Sequence, residues 1–425
     1  MAVHTFCKKT ILLFSLCVAI FSTVNFSIAQ EKVVATNTDS IPIPKKQDNP
    51  LALKSQRDLI DYAYLILHKN PDARLDSTGH KTAKLHFSGA PSIEYSLTTA
   101  LAVTFYGNVA FFTTDNGQTN ISSVLMGVGY TQKGQFFVPV QSSVWTKNNN
   151  YYLIGDWRYD RFPQDTYGFG GHSTLDDGYP ITYDRVRFYE FALKKIAENL
   201  YAGAGIQFDH HWNIKEEPDA TTRIPTDFEK YGFANTSTSS GISLDFLYDT
   251  RQNSINPVGG GFYSNIVFRQ NASFLGSNSN WNSILIDVRK YIQLPHGNIL
   301  ALWSYNNITL SGNPPYLDLP GTATDTYSNT GRGYVQGRFI GKKMVDLEAE
   351  LRYGITRNGL LGGVVFANAE SLSELGSNRF EVISPACGAG LRIKFNKFSK
   401  TNICLDYGFG VKGSHGIFAN LGEVF

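Results

Sequence analysis

Charge is scarce in this 425-residue chain: Asp, Glu, Lys and Arg make up 17% of it, against about a quarter of an average soluble protein. What charge there is nearly cancels, with 38 Lys+Arg against 36 Asp+Glu. A polyelectrolyte-binding protein needs a basic surplus or stripe, so no nucleic acid is expected as a partner. Long apolar runs are missing too. Beyond the first segment, none approaches the roughly 18 residues of a membrane-spanning helix. Catalytic groupings are equally sparse. His210-His211 is the one histidine pair, and adjacent strand residues point to opposite faces. Gly171-His172-Ser173 lacks the glycine spacing of a nucleophile elbow, and no Cys–His grouping has zinc spacing. Neither an enzyme nor a cofactor nor a metal site is expected. In place of charge stand aromatics, at 13%, and 39 glycines.

The chain opens on an address. Lys8 and Lys9 precede an apolar stretch from Ile11 to about Phe21, and Ser27-Ile28-Ala29 then offers the small residues a signal peptidase reads. Residues 1–29 are read as an export signal. A transmembrane anchor is the alternative, but the apolar core is shorter than the roughly 20 residues a spanning helix needs. Leu16, where a small residue would be expected, disfavours a lipoprotein signal at Cys17. Cleavage removes two of the 38 basic residues and leaves 36 of each sign.

A chain without helical spans can still cross a bilayer, because a tilted β-strand of about 9–11 alternating residues suffices once a barrel closes every backbone hydrogen bond. Alternation is what the chain shows. Val345, Leu347, Ala349, Leu351 and Tyr353 are apolar, while Asp346, Glu348, Glu350 and Arg352 fill the positions between. Four charges on one face suit a wet lumen better than a packed core. Ile403, Leu405, Tyr407, Phe409 and Val411 alternate in the same way with Cys404, Asp406, Gly408, Gly410 and Lys412, and so do Ile242, Leu244, Phe246 and Tyr248 with Ser243, Asp245 and Asp249. Parity puts Cys387 and Cys404 on opposite faces of neighbouring strands, so no disulfide is expected. Asp249 and Arg251 are read as an ion pair at a strand end.

Counting back from position 425 yields fifteen strands, with long external connections near 311–341 and 212–239. An even number is required when both ends of the barrel lie in the periplasm. The sixteenth strand must then fall in 83–95, weakened by Gly89 and Pro91. The expected fold is all-β: a transmembrane antiparallel barrel of about sixteen strands over residues 82–425. Residues 30–81 are expected in the periplasm, first as a linker with Pro42, Pro44 and Pro50 and then as a short amphipathic helix. Leu59, Ile60, Tyr62, Ala63, Leu65 and Ile66 recur at helical spacing behind Ser55 as N-cap, with Asp58 near the helix start. The helix would lie at the periplasmic mouth, plug part of the lumen, or pack on the rim without function.

Three sets of residues together resemble the BamA/TamA superfamily of outer-membrane barrels, the bacterial surface antigen domain. Tyr248-Asp249-Thr250-Arg251-Gln252-Asn253, followed by Asn256-Pro257 and Gly261-Phe262-Tyr263, is similar to its strand–turn–strand signature. Gly331-Arg332-Gly333-Tyr334 resembles the arginine motif of its sixth loop. Gly388-Gly390-Leu391-Arg392, Leu405-Asp406-Tyr407-Gly408 and Leu421-Gly422-Glu423-Phe425 resemble its closing strands. The resemblance covers 240–425 well and the earlier barrel loosely.

The resemblance implies that the loop folds into the lumen and that Arg332 meets acidic groups on the inner wall. Glu350 is the matching partner. Asn368 stands where the family has an aspartate, so it can accept a hydrogen bond but cannot neutralise the arginine, and Glu350, Glu348 or Glu370 must supply the charge. The alternative is a solvated loop. Gly422 and Phe425 would be the closing-strand signal read by outer-membrane assembly machinery. Family members that insert or translocate proteins carry repeated periplasmic domains, for which residues 30–81 have no room. The expected function is outer-membrane biogenesis, by protein assembly or translocation, with outer-membrane lipid and assembly subunits or client proteins as partners. The alternatives are a passive pore for small solutes and a structural surface protein.

Overall fold

The computed structural model describes residues 54–72, 85–114, 119–216, 225–251 and 253–425. The export signal, the linker and Gln252 lie outside them. The rest is one antiparallel sheet of sixteen strands. They are β1 (His86–Ser96), β2 (Ala100–Phe111), β3 (Ser122–Thr131), β4 (Phe136–Trp145), β5 (Tyr151–Arg161, resuming at Gln164–Thr166), β6 (Tyr179–Ala197), β7 (Leu200–Glu216) and β8 (Ser237–Asp249). The second half is β9 (Gly261–Asn271), β10 (Trp281–Gln293), β11 (Ile299–Gly312), β12 (Lys343–Gly354), β13 (Leu361–Leu372), β14 (Ser384–Asn396), β15 (Thr401–Phe409) and β16 (His415–Leu421). Every strand pairs with the next in sequence.

Alternation sets the register. Ile242, Leu244, Phe246 and Tyr248 are exposed on the outer face, while Ser243, Asp245 and Leu247 between them are buried in the lumen. A one-residue slip would turn every buried polar group to the lipid. His211 is buried inside, and its neighbour His210 stacks with Phe208 and Trp212. Cys387 and Cys404 are both free. Asp249 and Arg251 form the expected ion pair, at 2.9 Å.

The owed first strand is present. β1 pairs with β2 along its whole length, from His86 opposite Ala110 to Ser96 opposite Ala100, with Pro91 opposite Phe105. On its other edge it runs beside β16, and among the described residues no ladder joins the two. At the outer end of this seam Leu97 lies over Gly416, its Cγ 2.6 Å from where a Cβ on Gly416 would sit.

Two expectations are corrected. Helix α1 (Leu59–Ile66) is capped by Asp58 in a reciprocal box with Asp61, not by Ser55. Its polar side faces inward. Asp58 and Asp61 are buried, Lys397 donates its backbone N–H to Asp58 and its ammonium to Asp61, both at 2.8 Å, and Arg57 N–H reaches Asn358 O. Leu65 and Ile66 are left exposed, the reverse of a helix that buries an apolar stripe. The second correction concerns the closing strand, expected to run to Phe425. It ends at Leu421, where Gly422 takes φ +100°, a left-handed conformation that glycine adopts without strain. Residues 423–425 then turn into the lumen, and Phe425 packs against Trp303 at 5.0 Å.

The external connections condense into a cap. Phe169, Ile181, Ile214, Phe228, Tyr316 and Ile340 share one apolar cluster, to which helix α2 (Asp227–Gly232) contributes Phe228. Hydrogen bonds tie the loops together: Gly170 N–H to Ile340 O at 2.8 Å, Phe169 N–H to Asp227 Oδ2 at 2.9 Å, and Tyr231 OH to Pro314 O at 2.8 Å. On the exposed rim of this cap the Thr174 N–H holds the Asp177 carboxyl below its usual range.

Candidate functional site

Residues 313–342 form the longest connection, and they fold down into the barrel. The descent is possible because two backbones can touch. A Cβ on Gly408 of β15 would lie 2.8 Å from Gly333 N, and one on Gly333 would lie 2.9 Å from the Ala386 methyl. Gly331 and Gly333 also take φ +72° and +114°, where L side chains are strained. Between them Arg332 is driven into the inner wall, and Tyr334 is locked by donating to Pro385 O at 2.7 Å and accepting from Val411 N–H at 3.0 Å.

The Arg332 guanidinium meets three carboxylates. Nη2 donates to Glu350 Oε2 at 2.8 Å and to Glu348 Oε2 at 3.2 Å, and Nη1 donates to Asp406 Oδ2 at 2.8 Å. Its plane lies 3.9 Å over the Phe366 ring, an arrangement that suits a weakly hydrated, planar cation. Arg332 is 2% exposed, so each charge-assisted bond acts away from competing water. The solvated-loop alternative is thereby contradicted.

Of the wall residues predicted from sequence, Glu348 and Glu350 touch the guanidinium and the other two do not. Asn368 donates from Nδ2 to the Arg332 carbonyl at 2.8 Å instead of accepting from its side chain. Glu370 is bound by the Thr322 hydroxyl at 2.9 Å. The third carboxylate, Asp406, was missed by the sequence reading, as were Arg352, Arg392 and Glu423. Arg392 pairs with Asp406 and donates Nε to Glu423 at 2.8 Å, while Arg352 pairs with Glu350 and donates Nη2 to the Phe425 main-chain oxygen at 2.7 Å. Strand parity was the available signal: Asp406 and Arg392 both fall on lumen-facing positions. Gly422 and Phe425 sit beside this network, past the end of the last strand.

The same loop crosses the whole lumen. Thr326 O accepts from Arg158 of β5 at 2.7 Å, Asp318 accepts from Ser239 of β8 at 2.6 Å, and Asn329 donates to Val424 O at 2.7 Å. A second buried network lies on the wall, where Asp209 gathers Arg187 at 2.9 Å, Arg269 at 3.0 Å and Tyr189 OH at 2.6 Å.

With this geometry established, solved structures give the match. BamA from Haemophilus ducreyi lacking POTRA domains 1–3 aligns over 88% of this chain and 80% of its own at a TM-score of 0.53 and 12% identity. The chain carries the BamA-type barrel fold. CdiB from Acinetobacter baumannii aligns over 80% of this chain at a TM-score of 0.50 and 11% identity, and CdiB from Escherichia coli over 79% at 0.52 and 9%. The present BamA-type barrel spans about three fifths of the CdiB chains. No family model and no curated sequence matches the chain. The exposed apolar outer face described above fits a barrel set in lipid.

Proposed function

We propose that this barrel works in outer-membrane biogenesis, assembling or translocating client proteins, and that its working element is the edge where β1 meets β16. The observation that carries this reading is the contrast around the sheet. Fifteen junctions are joined by ladders, and the sixteenth has none among the described residues. An unpaired strand edge is a template for another strand, and a client strand adding there would gain main-chain hydrogen bonds in a setting where every unsatisfied group is costly. The likeness to BamA and CdiB supports the same class of work. The passive-pore reading is disfavoured by the loop, which bonds to opposite walls of the lumen.

Quantitative proteomics of the outer-membrane fraction after depletion tests the proposal. A selective fall in other barrel proteins or surface lipoproteins is expected and would name the clients. An unchanged outer-membrane proteome would refute a role in biogenesis.

A further inference from the structure

On β12, which carries Glu348 and Glu350, and on its neighbour β13 lies another pair of acids that the loop does not neutralise. Asp346 of β12 stands directly opposite Glu370 of β13 in the ladder, and both are fully buried in the lumen. Glu370 is met by the Thr322 hydroxyl, 2.9 and 3.0 Å from its two oxygens. Neither oxygen of Asp346 has a hydrogen-bond partner among the described residues. The neighbouring acids are engaged elsewhere: Glu348 accepts from Gly331 N–H and Arg332, and Asp325 from the backbone of 327–330.

A bare carboxylate in a buried interior is strongly disfavoured, and a second one facing it makes matters worse. The local charge does not cancel. Seven buried carboxylates, at 325, 346, 348, 350, 370, 406 and 423, surround the loop against four buried arginines, at 332, 338, 352 and 392. The missing charge is positive. No group of three or more His, Cys, Asp or Glu side chains with metal-holding geometry occurs among the described residues, which argues against a zinc-type cage of such ligands. Hard divalent cations of the magnesium type use one or two carboxylates and keep several waters, which fits two facing acids with a hydroxyl beside them. We propose that Asp346 and Glu370 hold a hydrated divalent cation beneath the lumen loop.

The test uses the full barrel refolded into detergent micelles in MgCl2, in CaCl2 or in EDTA, so that a closed lumen does not prevent loading. The midpoint of its heat-induced mobility shift on gels is compared with those of Asp346→Asn and Glu370→Gln. Saturating cation is expected to raise the wild-type midpoint by roughly 5 °C. In either variant the gain is expected to vanish. Terbium luminescence provides a second readout, with Tyr305, opposite Asp346 on β11, as the sensitising ring. Emission displaced by Ca2+ in the wild type and absent in Glu370→Gln supports the site even if Asp346→Asn fails to refold. Equal wild-type midpoints in cation and EDTA without terbium emission would overturn it and leave the pair sharing a proton. A cation shift that persists in both variants would place the ion elsewhere and overturn it equally.

Discussion

Arg332 holds the loop because three carboxylates from two strands converge on one planar cation, and removing it leaves Glu348 buried without a counter-charge while Glu350 and Asp406 keep only Arg352 and Arg392. Breaking a buried ion pair from one side typically costs about 3–5 kcal/mol. Arg332→Ala is therefore expected to admit protease between 313 and 342 in a barrel that still folds, and to lower its heat-modifiability midpoint. Cleavage unchanged from wild type would mean that the cap, not the pin, holds the loop. Arg332→Lys should fall between the two, since a point charge on a flexible stem cannot fork across Glu350 and Asp406. Part of this was legible in the sequence. Glu348 and Glu350 alternate with Val345, Leu347 and Leu351, so their lumen orientation follows from parity. Asp406 has the same parity signal, yet its meeting with Arg332 depends on the descent that Gly333 and Gly408 permit. That contact is a property of the closed barrel and not of either segment.

At the scale of elements, α1 is tied on by charge. Lys397 and Asp61 form a fully buried ion pair at 2.8 Å, and Asp58 accepts the Lys397 backbone N–H. Lys397→Ala removes the ammonium from this buried ion pair, again at a cost of about 3–5 kcal/mol. The helix can escape that cost by lifting off. Hydrogen exchange is expected to rise at 57–66 while β12 to β15 stay protected; unchanged exchange in the helix would show that it is held by other contacts. Helical spacing made α1 visible, but periodicity suggests that Leu65 and Ile66 face the protein. The structure turns them outward because two carboxylates have a buried lysine to meet. The closing strand shows the opposite limit. Glu423-Val424-Phe425 alternates as a strand would, and only the left-handed Gly422 redirects it into the lumen.

For the whole molecule, strand positions were readable because lipid outside and polar lumen inside impose a period of two on nearly every segment. The even count then demanded β1, despite Gly89 and Pro91. The cap was not readable in advance: Phe169, Phe228 and Tyr316 come from three connections with no common period. The loop spans the lumen from β5 to β12 beneath the cap, so the purified barrel is expected to show little single-channel conductance, and deleting 316–340 to produce open steps. Large steady conductance in the intact protein would restore the pore reading.

The seam is the part on which the biogenesis account stands. Leu97→Cys with Gly416→Cys places two thiols side by side across the seam, where the Leu97 side chain already overlies Gly416. Cells relying on this variant should show a fall in client barrels under oxidising conditions and recovery when a reductant opens the bond. An outer-membrane proteome that stays at wild-type composition with the disulfide fully formed would contradict the account.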